Sequence, residues 1–558
     1  MKPIYNIYTL FLVFLTASCG DYLDRASTTQ RQDEDIFNNF TMTDQAVNAL
    51  YGSTLRRSNY NYLGGYNMSS ATDESKDAST WMASYSFNNG SWSSNQNPIG
   101  NTWREYYESV RMANLILEGV VEYNTPDDAN NPGYLENRIG EVYFLRAYAL
   151  FELVRQFGGV IIFTNTIDQA DEEALNRPRN TYDECVNQIL ADCDEAIARV
   201  PNTYPANQLG RITKGAAMAL KSKILLFSAS PLWAEAGKTG FQGDISDNQR
   251  ASDPEKWQRA ATAAKEIIDM GQYSLEPTLE ARQSMFTATT LQSTEVIFVR
   301  MNAWNQDMDR YFFPHGSSGW SGGAPTQNLV DDYEMEDGLL YDESPLYDED
   351  NPYANRDPRF YTDISYNGAP WKDRVIETFT GGLDELSTQT DRTRTGYYSK
   401  KLVDESISIG QGQGRRVDAI MFRLAEIYLN YIEALNEYDP GNPDILLYLN
   451  RIRERVGQVP ISDGLSQEVM REKIRNERRI ELSFENHRFW DVRRWKIASQ
   501  TEPTIYGMRA IPDDTKSSGF RYERFKVEDR LWRSAMYLIP ITQDETLRNP
   551  NLVQNEGW

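Results

Sequence analysis

Apolar residues along the 558-residue chain recur mostly at spacings of three and four, which is the period of an amphipathic helix. The segment NTWREYYESVRMANLILEGVVEY, residues 101–123, carries Trp103, Tyr107, Val110, Leu115 and Leu117 at helical spacing. Residues 136–159 place Tyr143, Ala147, Leu150 and Val154 on one face and stop at Gly158-Gly159. Further helices are predicted over 181–200 and 213–230, each closed by a proline. Another spans 253–271, opened by Asp253-Pro254 and ended by Gly271. Near the C-terminus the same pattern returns over 418–438, 443–456 and 467–485. Tyr and Ala positions repeat about every 35 to 40 residues in the first half, a period of paired, tetratricopeptide-like (TPR-like) helices.

Two regions break the period. Residues 58–100 are rich in Asn, Ser, Gly, Tyr and Trp, and residues 300–417 in Asp, Gly, Pro and aromatics. A short strand-like run, EVIFVRM, precedes the second. Irregular stretches this long are usually functional or mobile. The predicted fold class is therefore mainly α: a TPR-like helical-repeat scaffold over about 101–275 and 418–496. It carries an irregular, loop-rich lobe with short strands over about 58–100 and 295–417. The absence of a Ser/Gly or Pro linker argues for one interleaved unit over 19–558.

Composition narrows the chemistry. The net charge of -24 repels a phosphate backbone and disfavours non-specific nucleic-acid binding. With only His315 and His487, zinc sites and His-activated nucleophiles lack their usual residues. Cys185 and Cys193 lie eight positions apart on one helix, about 12 Å of rise, too far for a disulfide. Both are expected as small core residues. Residues 1–18 have Lys2, an apolar run too short to span a bilayer, and small residues just before Cys19. This fits a lipoprotein signal peptide with lipidation at Cys19, and hence a membrane anchor made of lipid chains.

The stretch ENHRFWDVRRW, residues 485–495, concentrates two Trp, three Arg and one of the two His. Extended back to Met470, it places Met470, Ile474, Ile480 and Phe484 on one side of a helical wheel. Lys473 with Glu477, and Arg478 with Glu481, stand at pairing distance along such a helix. The balanced charge argues for structural ion pairing rather than catalysis, with His487 packed inside.

The segment IRNERRIELSFENHRFWDVRRW resembles the C-terminal signature of the SusD/RagB family of Bacteroidetes outer-membrane lipoproteins. In the family's order stand CGDYL, YFLRAYALFELVRQFGGV, GRITKGAAMALKSKILLFSA, PTQNLVDDYEMEDG with NRDPRF, FRLAEIYLNYIEAL, LNRIRERVG and YLIPITQDETLRNPNLVQNEGW. Ile161 departs from the Pro that often follows FGGV. The resemblance covers Cys19 to Trp558. It implies a non-enzymatic, cell-surface glycan-binding lipoprotein that acts as lid and partner of a SusC-like TonB-dependent transporter in oligosaccharide uptake. No cofactor and no metal is implied. A RagB-like peptide-binding role, a carboxylate-pair glycosidase and a TPR scaffold for proteins remain alternatives.

Sugar rings present apolar C–H faces, which Trp and Tyr cover at low entropic cost. The candidate ligand residues are Asp73, Trp81, Trp92, Trp304, Tyr311 and Trp320, all within the irregular regions; Trp371 and Tyr397 come next. Core packing is the alternative for each. Trp103, Trp257, Trp490 and Trp495 lie within or just after helices and are expected to be structural. The acidic run at 341–353 reads as a solvated loop or a calcium ligand set, and it lacks the spacing of an EF-hand.

Overall fold

A computed structural model describes residues 33–57, 67–246, 249–288 and 293–558. Cys19 and the segment before it lie outside the described residues. Among the described residues nine longer helices carry the architecture: α1 (Phe40–Thr54), α2 (Thr102–Glu122), α3 (Tyr134–Phe157), α4 (Tyr182–Arg199), α5 (Lys214–Ala229), α6 (Pro254–Asp269), α7 (Leu424–Tyr438), α8 (Pro443–Glu454) and α9 (Gln467–Glu481). Each of α1 to α7 packs on the next, and α8 and α9 both pack on α7. The chain stacks as a solenoid in which α7, more than 150 residues downstream, continues directly from α6.

Local chemistry sets the helix ends. Thr181 and Glu184 form a reciprocal capping box on α4. Asp253 caps α6, and Pro254 occupies a first-turn position where no N–H is needed. Gly158 ends α3 with φ +84, and a Cβ there would sit 2.2 Å from the Phe241 carbonyl oxygen, so only glycine fits. On α2 the buried stripe is Trp103, Tyr106, Val110, Ala113, Ile116 and Val120. Leu115, expected inside, is exposed, because the stripe runs one position away from the predicted one.

The lobe is inserted between α6 and α7. An antiparallel pair, β1 (Val296–Arg300) with β2 (Ala419–Arg423), closes the base of this insertion. The expected helix over 418–438 therefore begins only at Leu424; its first residues are strand, drawn into the ladder by Val296 to Arg300. A second ribbon, β3 (Thr504–Pro512) with β4 (Phe520–Asp529), follows the last long helices. Two apolar cores result. One lies among the helices around Phe144, Leu150, Phe227 and Ile427, and the other lies in the lobe around Phe312, Tyr333, Phe360 and Trp371.

Helix α9 joins the two. Met470 and Ile474 enter the helical core, and Ile480 and Phe484 enter the lobe core. The helix stops at Glu481, short of the predicted 485, and Phe484 and Asn486 adopt positive φ. The expected pairs within the helix do not form. Lys473 reaches Glu334 instead, and Arg478 reaches Asp491 at 2.8 Å. Glu477 meets Arg359 and Arg453. Glu481 is fully buried and faces Arg282, Arg359, Arg423 and Arg455 at 2.5–3.3 Å. Burial would raise its carboxyl, yet the four guanidinium groups hold it well below the usual carboxylate range. Burial, reinforced by Lys223, Arg478, Arg423 and Lys401, holds the pKa of His487 well below its usual value and keeps the ring neutral. Cys185 and Cys193 are buried free thiols, and Trp103, Trp257, Trp490 and Trp495 are buried.

Among the described residues no helix is long and apolar enough to cross a membrane.

Candidate ligand-binding surface

The segment that follows α9 fixes the first irregular region. Asn67 donates from Nδ2 to the Phe484 carbonyl, and the Met68 N–H donates to Asn486 Oδ1, both at 2.7 Å. Asp73 accepts from Arg479 and Arg488 at 2.7–2.9 Å. Burial would raise the Asp73 carboxyl, and these two guanidinium groups overcome that and hold it well below the ordinary range. Asp73 is therefore an internal anchor. Its expectation as a ligand residue is corrected by its burial and its full complement of partners.

From this anchor the chain runs into Ser75–Lys76, which pairs with Ala324–Pro325. Asp77 sits at the junction. It accepts from Ser70 Oγ, the Tyr311 hydroxyl, the Gly323 N–H and Ser84 Oγ. Tyr311 is buried with its polar tip engaged there, so it too is structural, contrary to expectation. Trp92 is a further correction: it is buried against Phe87 and Trp558, at ring distances of 4.8 and 4.4 Å. Trp371 and Tyr397 are wholly buried in the lobe core and offer no surface.

The remaining candidates reach solvent. Of the twelve tryptophans, only Trp81, 66% exposed, and Trp304, 61% exposed, show more than half their surface. Trp81 follows the Asp77 junction by four residues and stands just before the short helix Ala83–Asn89. Tyr85, on that helix, is exposed with Lys76 over its ring at 5.7 Å. Trp320 is half-buried, and the Arg310 guanidinium lies over its ring at 5.6 Å.

Residues 391–394 join these pieces. Ser321, beside Trp320, donates its hydroxyl to the Asp391 carbonyl at 2.6 Å. Arg394 donates from Nε to the Ala78 carbonyl at 2.7 Å, three residues before Trp81. The segments carrying Trp81 and Trp320 are thus both tied to one loop, residues 391–394. Trp304 belongs to a separate two-residue ribbon with Arg415–Arg416, close to Gly414. The residues that sequence reasoning missed are Asp77, Arg310, Arg392 and Arg394. Asp77 and Arg394 are set by distant partners, Tyr311, Gly323 and Ala78, while Arg310 and Arg392 meet nearby ones, Gln306 and Glu385, within irregular chain that no periodic pattern marks.

A cavity of about 550 Å³ opens elsewhere, between α2, residues 161–176 and residues 545–552. It is walled by Trp103, Tyr107, Phe163 and Leu552, and the Tyr107 hydroxyl is already engaged with the Ile161 backbone. The acidic run is tied down by local bonds and by Asp350 with Lys516 at 2.6 Å. Among the described residues no three His, Cys, Asp or Glu side chains converge as a metal site.

Comparisons with known proteins agree with this architecture. Residues 294–558 match the model described as "SusD family", and residues 21–226 the one described as "Starch-binding associating with outer membrane". The chain is 24% identical over 530 residues to SusD-like protein P25 of Formosa agariphila, covering 89% of this chain and 90% of that one. Among solved structures it is similar to a SusD-like protein from Bacteroides fragilis NCTC 9343, at 28% identity and a TM-score of 0.77. That match covers 94% of this chain and 99% of the other. It shares its fold with a SusD-like carbohydrate binding protein from the same strain, at 24% identity and a TM-score of 0.77, over 93% of this chain and 100% of that one.

Proposed function

The chain belongs to the SusD/RagB family, and from that premise we propose that it binds glycans at the outer-membrane surface. Its role is to hold oligosaccharides as the lid and partner of a SusC-like TonB-dependent transporter. Lipid chains at Cys19 attach it to the membrane. Support comes from the family descriptions, which name starch binding and outer-membrane association, and from the carbohydrate-binding protein of the same fold.

The single observation that carries the reading is the exposure of Trp81 on the ordered Asp77 junction, facing solvent while the other aromatic side chains of that loop are drawn inward or only partly open. An indole held on an anchored loop gives a flat apolar face for a sugar ring, and Arg and Thr groups beside it can meet hydroxyls. Family membership favours binding without turnover.

Titration of oligosaccharides against the parent and Trp81→Ala tests this reading. Binding should weaken by about 2 kcal/mol or more, roughly thirtyfold in Kd, while the melting temperature stays within a degree or two. Unchanged affinity for a confirmed glycan would remove Trp81 from the site. For the anchor, Cys19→Ala should leave the outer-membrane fraction when no transporter is present; retention there would sink the lipid assignment.

A further inference from the structure

Lys76 at this surface is paired with Glu528 at 2.5 Å, but Arg394 and Arg310 are not neutralised as the arginines inside the protein are. Arg282, Arg359, Arg423 and Arg494 all end on carboxylates. Arg394 does not: its Nε is held by the Ala78 carbonyl, and among the described residues no acid lies within ion-pair distance of it. Burial lowers its pKa with no neighbouring charge opposing the shift. Arg392 has Glu385 only at 3.8 Å, beyond hydrogen-bond distance, and its Nη1 is buried without an acceptor. Arg310 lies over Trp320 and donates to Gln306 Oε1, again with no carboxylate partner among the described residues. The carboxylate of Asp391 pairs with none of the three.

The loop holds these groups deliberately. Thr393 and Thr395 are wholly buried, and Thr393 Oγ1 donates to the Tyr397 carbonyl at 2.8 Å. Arg392 and Arg394 alternate with them in sequence and are only partly buried. A half-buried cation without a counter-charge costs stability, and a neutral side chain would serve packing better. In a chain of net charge -24, Arg394 and Arg310 without a carboxylate partner among the described residues, and Arg392 only loosely paired, are the arrangement of a site whose counter-charge comes with the ligand.

We propose that this surface selects oligosaccharides bearing anionic groups, uronate carboxylates or sulfate esters, with Arg394 and Arg392 binding the anion beside the Trp81 and Trp320 faces. This rests on the glycan-binding reading above. Neutral sugars offer only hydroxyl acceptors, whose bonds to guanidinium are weaker than charge-assisted ones. Carboxylate and sulfate both present oxygens that fit the planar fork.

Calorimetric titration with three probes of equal length tests it: an oligogalacturonate, a sulfated galactan oligosaccharide and a neutral β-glucan oligosaccharide. At least one anionic probe should bind ten times or more tightly than the neutral one, and the better of the two identifies the anion. Arg394→Gln should weaken that probe tenfold or more, Arg394→Lys less, with melting temperature unchanged or raised. Equal or tighter binding of the neutral probe overturns the anionic assignment and leaves glycan binding standing, as does an Arg394→Gln variant that binds like the parent. Failure of all three probes sinks both readings.

Discussion

Glu74 shows how a single buried group records the surroundings it is folded into. It lies next to Asp73, wholly buried, with Oε1 accepting from the Phe484 N–H and Oε2 without a partner. Burial pushes its carboxyl up to about 7, against the lowering pull of Arg479 and Arg488 and with a further push from Asp73. In the unfolded chain a Glu titrates near 4.3. Between those two values the folded state holds a proton that the unfolded state has lost. Stability from this group is full below pH ~4 and falls as pH rises to about 7. Glu74→Gln mimics the protonated form. Its melting temperature relative to the parent should therefore rise between pH 5 and pH 8, by an amount worth about 1–3 kcal/mol. A difference that stays constant over that range would show that Glu74 does not titrate there. The neighbouring Asp73 differs only in having two guanidinium groups in direct contact, which decides the opposite outcome for an adjacent carboxyl.

At the scale of elements, the stretch after α9 does the joining that its composition hinted at. Glu481 ends the helix, and Phe484 and Asn486 turn the chain through the left-handed region so that Phe484 enters the lobe core and Asn486 meets the Met68 N–H. A left-handed residue other than glycine costs about 1–2 kcal/mol, and Asn tolerates it better than most. Asn486→Ala loses the hydrogen bond and adds strain; Asn486→Gly loses the bond but relieves the strain. Urea denaturation should place Ala about 2–3 kcal/mol below the parent, with Gly between the two. If Gly proves the less stable of the pair, backbone conformation is not what Asn486 supplies. The same turn positions residues 67–77, so the signature shapes the candidate surface from beneath without contributing a side chain to it.

On the scale of the whole molecule, the helical scaffold and the lobe are tied by more than chain connectivity. Helix α9 enters both apolar cores, and Glu481 collects arginines from the 279–287 helix, from Arg359 in the lobe, from Arg423 on β2 and from Arg455 after α8. Separating the two parts would strand a buried carboxylate among buried guanidinium groups, and breaking such a network costs several kcal/mol. Despite its length the protein should unfold in one transition. Far-ultraviolet circular dichroism, tryptophan fluorescence and calorimetry should report the same midpoint. Two resolved transitions, one helical and one aromatic, would show the lobe to be an independent unit.

The sequence by itself determined the helical solenoid, because apolar spacing and caps such as Thr181 with Glu184 act within one or two turns and need no distant partner. It also carried the family's ordered segments, the burial of Trp103, Trp257, Trp490 and Trp495, and the core role of both described cysteines. Only the tertiary structure decided which loop aromatics face solvent. Trp81 and Trp92 stand in the same polar, Gly- and Asn-rich setting, yet Trp92 is buried against Trp558 at the far end of the chain and Trp81 stays two-thirds exposed. It also decided that Asp73 and Tyr311 are anchors and that Glu481 pairs across the fold rather than along its helix. Finally, it left the Arg394 guanidinium without a carboxylate partner among the described residues and Arg392 with Glu385 only at 3.8 Å. Each of these outcomes depends on partners brought together from up to several hundred residues away, and a side chain's own neighbours in sequence exert no force that selects among them.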